Sequence, residues 1–424
     1  MRLRRVAWLL AVLAANPGGV HAADNSETVL GRSVDELIAF ARERNPEYAT
    51  MRHEAAAAGE RITPAGALPD PKFRTELRDI TNMGNSNPTL APGQVGSTKY
   101  LLMQDVPWFG KRELKREVAE QEAEAARARA TGTWTELAAR IKTAYAQLYD
   151  IHRNEKLAWE ILDLMIRLEQ VAQVRYAGGL AAQQDVIRAQ VEQTNLRNEL
   201  VALANARRQA QARLNALLAR PALAAFAEPE RLQPIPAPSD LDYAGLEERV
   251  RAHNPQLFSE AALIKAAEKS RELTYRNRYP DFTFGVSPIQ YGSAVREWEL
   301  MVELNIPLQQ SSRRAQEREA ESMLLAARTR QEATANQVLA DLAENLAGIE
   351  AARETEALAT TSLLPQADLT FQAALTGYQN GRVDFATLLD AQRQIRQAKQ
   401  NQIRAQAESA MRLAEIERLL GEDL

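Results

Sequence analysis

Apolar residues recur at alternating spacings of three and four along the second half of the stretch from about Lys111 to Tyr176, and the whole stretch is predicted to form one unusually long helix. This stretch has no proline and a single glycine, Gly132. It consists mostly of Ala, Glu, Arg, Leu and Gln, all good helix formers. At ~1.5 Å per residue the helix would be on the order of 100 Å long, far beyond a typical helix of a globular protein. The chain is therefore expected to build an elongated object.

Two apolar seams run along the second half of this helix. The first has the spacing of a coiled coil and is interrupted by Glu155, and the second is offset around the helix. A coiled-coil dimer needs one seam, whereas a ring of helices needs two, so neighbours are expected on two sides. The alternative is a long surface helix with an unusually wide core face. The first seam consists of Leu137, Ile141, Ala144, Leu148, Ile151, Ala158, Leu162 and Met165, and the second of Leu157, Ile161, Leu164, Leu168 and Val171.

Four short segments are predicted to be strands, because apolar and polar residues alternate in them with a period of two. The second is patterned less regularly than the others, since Leu101, Leu102 and Met103 are adjacent. They span Pro71 to Asp79, about Ser97 to Pro107, Asp281 to Pro288, and Glu297 to Pro307. The apolar faces are predicted to contact lipid, and the alternative is a soluble sandwich. The predicted lipid-facing residues are Phe73, Leu77, Phe282, Phe284, Trp298, Leu300, Val302 and Leu304.

Four strands leave two open edges, and membrane barrels need about eight strands or more. If the apolar faces contact lipid, other copies of the chain must pair these edges, so oligomerisation is expected. In the last helix, the only large aliphatic residues between Gln392 and Gln406 are Ile395 and Ile403. Water is therefore expected to reach most of its circumference, as in the wall of a water-filled tube or on an ordinary exposed helix.

The second half of the sequence repeats the first. Asn45-Pro46 and Asn254-Pro255 each separate two short helices, and glycine-containing turns end both long helical stretches. Pro365 is expected to kink the second of these stretches near its end. The predicted division is a signal peptide at 1–22, a first repeat at 23–220, a proline-rich connector at 221–239 and a second repeat at 240–424. The first repeat holds a β-hairpin at about 71–107 and long helices at about 111–176 and 183–218, and the second holds a β-hairpin at about 281–307 and long helices at about 311–376 and 384–420.

The N-terminus has the features of a secretory signal. Arg2, Arg4 and Arg5 precede an apolar run of about ten residues, and Val20-His21-Ala22 is a small-x-small cleavage site. Cleavage after Ala22 would place the mature protein beyond the inner membrane. No later run of about twenty apolar residues predicts a transmembrane helix.

The composition gives no sign of catalysis or of a cofactor. The 424 residues include no cysteine, which excludes disulfides, thiolate metal sites, a cysteine nucleophile and a lipid-modified N-terminal cysteine. A net charge of −4 gives no reason to expect nucleic acid as a partner. His53, His152 and His253 are far apart and in no ligand spacing, and the methionines are scattered, so no metal site is predicted.

With these features the chain resembles the TolC-like outer-membrane efflux family. The resemblance is carried by the duplicated unit, the two Asn-Pro pairs and the turn sequences RYAGGLAAQQDVIRAQ and GYQNGRVDFATLLDAQ. The run Gln104 to Lys111 (QDVPWFGK) is similar to the strand-to-helix junction of members that serve heavy-metal resistance pumps of the CusC and CzcC type.

This resemblance implies a mainly α fold with a small β part, and a homotrimer in the outer membrane that extends into the periplasm. A 12-stranded β-barrel would be continued by a periplasmic α-helical barrel, docked at its tips onto a periplasmic adaptor protein and an inner-membrane RND pump. Asp368 would be the pore-constriction acid, although the family's acidic ring is otherwise missing here. The docking and gating positions implied at the tips are Arg175, Tyr176, Gly179, Asp185, Tyr378, Gly381 and Asp390.

The leading functional hypothesis is an exit duct that exports heavy-metal cations. One alternative is the same duct for drugs or secreted proteins. The others are a periplasmic adaptor, which the duplication argues against, and a coiled-coil scaffold, which the strands and the signal peptide argue against.

Overall fold

The computed structural model describes residues 30–84 and 87–424. The predicted signal peptide therefore lies outside the described residues. The first half contains three short helices, two antiparallel strands and a hairpin of two long helices. Their bounds are α1 Val34–Arg44, α2 Pro46–Glu60, α3 Ile62–Gly66, β1 Lys72–Arg78, β2 Ser97–Val106, α4 Lys111–Ala177 and α5 Gln183–Leu217.

The second half contains the same kinds of element after the connector. Its strands extend further toward each other than predicted, because the loop between them is a tight turn at Gly292, which has a φ of 58°. At its other end β4 stops at Asn305, two residues before the predicted Pro307. The bounds are α6 Tyr243–His253, α7 Pro255–Arg276, β3 Asp281–Tyr291, β4 Ala294–Asn305, α8 Gln310–Leu358, α9 Leu364–Gln379 and α10 Phe385–Leu420.

The predicted interruption at Pro365 is present. A π-helical segment, Ala359–Leu363, separates α8 from α9 immediately before this proline. Proline has no N–H to donate and its ring crowds the carbonyl four residues earlier, so a widened turn accommodates it. α4 has no such interruption over its 67 residues.

The four strands form one antiparallel sheet in the order β1-β2-β3-β4. One row of directly opposed residues runs Lys72, Met103, Gly285 and Met301 across the sheet. Gly285 lets the side chains of this row pack closely, since a Cβ there would lie 3.0 Å from Leu101 and 3.1 Å from the Met301 methyl group. The predicted alternation of faces is therefore kept across both hairpins.

Two asparagines join helices end to end. The Asn45 side chain accepts a bond from the Tyr48 N–H (3.0 Å) and donates to the carbonyl of Leu217 at the end of α5 (2.7 Å). Asn254 does the same with the Leu257 N–H (2.9 Å) and the carbonyl of Leu419 (2.8 Å). The repeated Asn-Pro pairs thus start α2 and α7 and stack them on α5 and α10.

Neighbours lie on two sides of α4, as its two seams predicted. Toward the tips, its side chains form one core with α5, α9 and α10, in which Met165, Leu196 and Phe385 are fully buried. Nearer the strands, Leu137 and Tyr145 pack with α1, α5 and the connector. The prediction of two seams is confirmed.

The prediction for the last helix holds in part. Along α10 between 392 and 406, four side chains are exposed and six are partly exposed, whereas Gln392, Ile395, Ala398, Ile403 and Ala405 are buried, with Gln392 only 1% exposed. Its alanines allow close packing, and several of its long polar side chains bond to acids of neighbouring helices. Examples are the 3.1 Å contacts that join Arg393 to Glu192 and Arg396 to Glu199.

No helix in the described ranges combines the length and the apolarity needed to cross a lipid bilayer.

Candidate functional site at the helical tips and the sheet

The two long hairpins end in matching turns. Gly179 and Gly381 have φ values of +70° and +69°, a backbone conformation that favours glycine. In the first turn the Leu180 N–H donates to the carbonyl of Arg175 (2.8 Å), and in the second the Arg382 N–H donates to that of Gly377 (2.8 Å). Both are the glycine-ended Schellman arrangement that satisfies the last carbonyls of a helix.

A network joins the two turns. The Arg175 guanidinium donates to the carbonyl of Leu180 in its own turn (3.1 Å) and to the carbonyl of Gln379 in the other. It also lies 5.1 Å from the centre of the Tyr378 ring. The Tyr378 hydroxyl donates to Asp185 at the start of α5 (3.2 Å). This network, which we call the tip lock, consists of Arg175, Asp185, Gln379 and Tyr378.

Tyr378 is the centre of the tip lock. It is 3% exposed, and its ring lies 5.2 Å from that of Phe385. Burial raises the pKa of the Tyr378 hydroxyl to about 12, and the negative charge of Asp185 adds to the rise. The hydroxyl therefore keeps its proton, and with it the bond to Asp185, across the physiological pH range.

The structure brings some of the predicted tip residues together and leaves others apart. Gly381 lies beside Arg175, since a Cβ there would be 3.3 Å from the guanidinium. Tyr176 is 48% exposed, and Asp390 pairs at 3.6 Å with Arg393 on its own helix, so neither joins the tip lock.

Asp368, the predicted constriction acid, is exposed on α9 and forms no ion pair with any of the described residues. Its neighbour Leu369 is 72% exposed. In the single chain this stretch of α9 therefore faces open space.

Sequence reasoning missed several residues of the tips. Phe385 is fully buried against Tyr378, and its place directly after the N-cap Asp384 was the available signal. Glu169 of α4 also went unnoticed. It accepts bonds from Gln190 (2.8 Å) and Gln193 (2.6 Å) of α5, which lower the pKa of its carboxyl group.

The charged face of the sheet is the more crowded of the two, which indicates that the sheet curves with this face inward. On that face Leu101, Met103 and Ile289 are at most 8% exposed, because side chains on a concave surface crowd together. On the opposite face Phe73, Phe284 and the β4 residues Trp298, Leu300, Val302 and Leu304 are exposed, by 47 to 86%. Leu77 and Phe282 are half-buried.

The strand-to-helix junction is held by polar and aromatic contacts. Asp281 accepts bonds from the Trp108 N–H (2.7 Å) and from the Lys111 ammonium (2.8 Å), and Lys111 is 4% exposed. The Trp108 ring stacks on Tyr279 at 5.0 Å and on Phe282 at 5.6 Å. These contacts join the start of α4 to the start of β3.

Over residues 30–84 and 87–424, no three His, Asp or Glu side chains are grouped in a way that could hold a metal ion.

Comparisons with known proteins agree with this geometry. A family model described as "Outer membrane efflux protein" matches residues 37–220 and 246–422. The chain is 25% identical over 413 residues to the cobalt-zinc-cadmium resistance protein CzcC of Cupriavidus metallidurans, covering 92% of this chain and 90% of the relative.

Solved structures share the fold. The outer membrane protein VceC from Vibrio cholerae matches with a TM-score of 0.78 at 18% identity, covering 92% of this chain and 96% of that one. CusC matches with a TM-score of 0.77 at 15% identity, covering 92% of each chain. The predicted mainly helical fold with a small β part is confirmed.

Proposed function

The chain belongs to the outer membrane efflux protein family, and from this premise we propose that it forms the exit duct of a tripartite efflux system. It is an outer-membrane efflux channel and not an enzyme, as the sequence predicted. The duct would be a homotrimer that works with a periplasmic adaptor and an inner-membrane RND pump. The proposal retains the division into two repeats, 23–220 and 240–424, joined by the connector 221–239.

The observation that carries this proposal is the four-stranded sheet with an exposed apolar convex face, a charged concave face and two open edges. The apolar face is stable in contact with lipid, and the charged face is stable in contact with water. An open edge in lipid would leave backbone N–H and C=O groups without hydrogen-bond partners. Three copies would supply twelve strands and close one barrel.

We assign docking and gating to the helical tips. The tip lock joins the two hairpins of one chain through a few polar contacts at the far end from the sheet, where an adaptor would meet the duct. Gly179, Gly381, Tyr176 and Asp390 would contribute to the docking surface around it. Asp368 would face the inside of the tube.

For the cargo we propose heavy-metal cations. Support comes from the name of the relative CzcC, a cobalt-zinc-cadmium resistance protein, and from the junction sequence QDVPWFGK. Deletion of the gene, followed by growth on graded cobalt, zinc, cadmium and copper salts and on a drug panel, tests this. Sensitivity to metals alone supports the proposal, and sensitivity to drugs alone refutes the metal assignment.

Membrane residence has its own test. Arginine on the lipid face near the middle of a bilayer costs roughly 2–4 kcal/mol, so Trp298→Arg with Val302→Arg should prevent assembly in the outer membrane. Met301→Arg places an arginine on the concave face of the same strand, outside the acidic set, and is the matched control. Normal recovery of the double variant from outer-membrane fractions would refute the lipid-facing assignment.

A further inference from the structure

The two open edges of the sheet carry opposite charge. On the concave face β1 presents Lys72, Arg74, Glu76 and Arg78, a net charge of +2 at neutral pH, since three of the four side chains are basic. On the same face β4 presents three acids: Glu297, Glu299 and Glu303.

Part of this charge has no strong partner within the chain. Arg74 approaches only Glu76, at 3.7 Å, and its side chain is 59% exposed. Arg78 lies 3.6 Å from Glu76, and its charge also acts on Glu299 of β4 in the same chain. Glu303 is exposed and forms no ion pair with any residue that the structure describes. Glu299, by contrast, already meets Lys99 at 2.5 Å.

We propose that the basic β1 edge of one copy pairs with the acidic β4 edge of the next copy, and that these charges select head-to-tail closure of the ring. This inference rests on the proposed function, because the edges meet only if copies of the chain share a barrel. β1 paired with β1 would oppose bases, and β4 paired with β4 would oppose acids. Like charges directly across a strand pair are destabilising, so both symmetric contacts are disfavoured.

The same residues select one register for the seam. The apolar side chains of both strands must lie on one face, which restricts slips to steps of two residues. One register that meets this requirement places Arg74 opposite Glu303 and Arg78 opposite Glu299. It pairs all seven residues of β1 and leaves Glu76 opposite Met301.

The two registers that differ from this one by two residues are electrostatically less favourable. A slip of two residues in one direction sets Glu76 against Glu299, and a slip in the other sets Glu76 against Glu303 and shortens the overlap. On the apolar face the favoured register places Phe73 against Leu304, Thr75 against Val302 and Leu77 against Leu300.

Barrel geometry agrees with this choice. Within the chain Lys72 and Met301 lie in one row, and the seam places Met301 opposite Glu76 of the next copy. The strands therefore shift by one residue, ~3.4 Å, for each strand spacing of ~4.8 Å, which gives a tilt of about 35°. The two slipped registers give about 20° and about 47°. Outer-membrane barrels tilt by roughly 35–45°, so the tilt rejects the first slipped register, and the opposition of Glu76 to Glu303 disfavours the second.

Disulfide cross-linking tests the register, and the chain has no cysteine of its own to interfere. Thr75→Cys with Val302→Cys should give covalent trimers on a non-reducing denaturing gel, because directly opposed Cα atoms are about 4.5–5.5 Å apart. Within one chain β1 and β4 lie three strand spacings apart, on the order of 14 Å, so a bond inside a single copy is excluded.

Slipped pairs are the matched controls. Thr75→Cys with Leu300→Cys, and Thr75→Cys with Leu304→Cys, place the sulfurs at diagonal positions about 7–8 Å apart at the Cα atoms, beyond disulfide reach. Efficient cross-linking of either control, with none for the pair Thr75 and Val302, would overturn the register.

Charge reversal tests the selection. Arg74→Glu should lower the yield of detergent-stable trimer by about tenfold, since three seams are each weakened by roughly 0.5 kcal/mol. Adding Glu303→Arg should restore it. Equal yields for all variants would refute the charge argument without affecting the proposed function. A wild-type chain that is monomeric and needs no detergent would refute the proposed function itself.

Discussion

Removing the Arg175 side chain should loosen the helical tips. Two of its contacts join the two hairpins: the bond to the carbonyl of Gln379 and the position over the Tyr378 ring, 5.1 Å from its centre. A hydrogen bond from a charged group contributes about 1.5–3 kcal/mol and an exposed cation–π contact about 0.5–1 kcal/mol. Because Arg175 is only half-buried, we take the low end, a loss of about 2 kcal/mol.

A loss of this size changes an equilibrium by about 30-fold. If the tip lock holds the closed state, Arg175→Ala should raise the open probability of the purified channel in planar lipid bilayers by that factor, up to saturation. Uptake of large antibiotics by cells should rise in parallel.

Arg167→Ala is the matched control. Arg167 lies on the same helix, is exposed, and its ion pair is with Asp163 one turn away, so its removal leaves the contact between the hairpins intact. If Arg175→Ala and Arg167→Ala conduct like the unaltered protein, the tip lock does not restrain opening and the gating assignment is wrong.

Three further predictions concern pH and the helix joints. The folded-state pKa of Tyr378 lies above its ordinary value, so its bond to Asp185 should stabilise the tips below pH 10 and be lost as the pH rises through about 12. Channel conductance should therefore not change between pH 5 and 9. A titration within that range attributable to Tyr378 would contradict the assignment. Ala219, just after α5, has a left-handed φ of 53°, whereas Gly421 occupies the corresponding place after α10. Ala219→Gly should therefore raise the thermal unfolding temperature slightly, by the equivalent of about 0.5 kcal/mol, while Gly421→Ala should lower it because its Cβ would lie 2.9 Å from a backbone carbonyl. Asn254→Ala removes a helix cap and leaves a buried carbonyl unpaired, which should cost about 3 kcal/mol of local stability. Hydrogen exchange at the start of α7 should then show roughly 150-fold faster opening. Unchanged exchange would refute the role of Asn254 in joining α7 to α10.

Each Asn-Pro pair makes one local contact that the sequence predicts and one long-range contact that it does not. The Asn-Pro pairs are visible as repeats, and as helix starts they could be predicted, because proline at the first helical position and asparagine before it are local preferences. The second bond of each asparagine, to a carbonyl more than 160 residues away, depends on the stacking of separate helices. Local patterns carry no information about such a contact.

Much of the architecture followed from the sequence. The uninterrupted helix of α4, the interruption at Pro365, the glycine turns and the two-sided strands all arise from periodicity and from the backbone preferences of glycine and proline, which act over a few residues. The same alternation placed Trp298 and Leu300 on an exposed apolar face.

Tertiary structure alone decided which side chains meet. Arg175, Asp185 and Tyr378 come together because two helical hairpins end at the same level. Arg393 and Arg396 of α10 pair with Glu192 and Glu199 because α5 lies beside α10 in the fold. The opposite charges of β1 and β4 were readable along the sequence, but only the order of strands in the sheet made them the two outer edges. Contacts between distant segments depend on how elements cross and on their register, quantities that no pattern within a single element records.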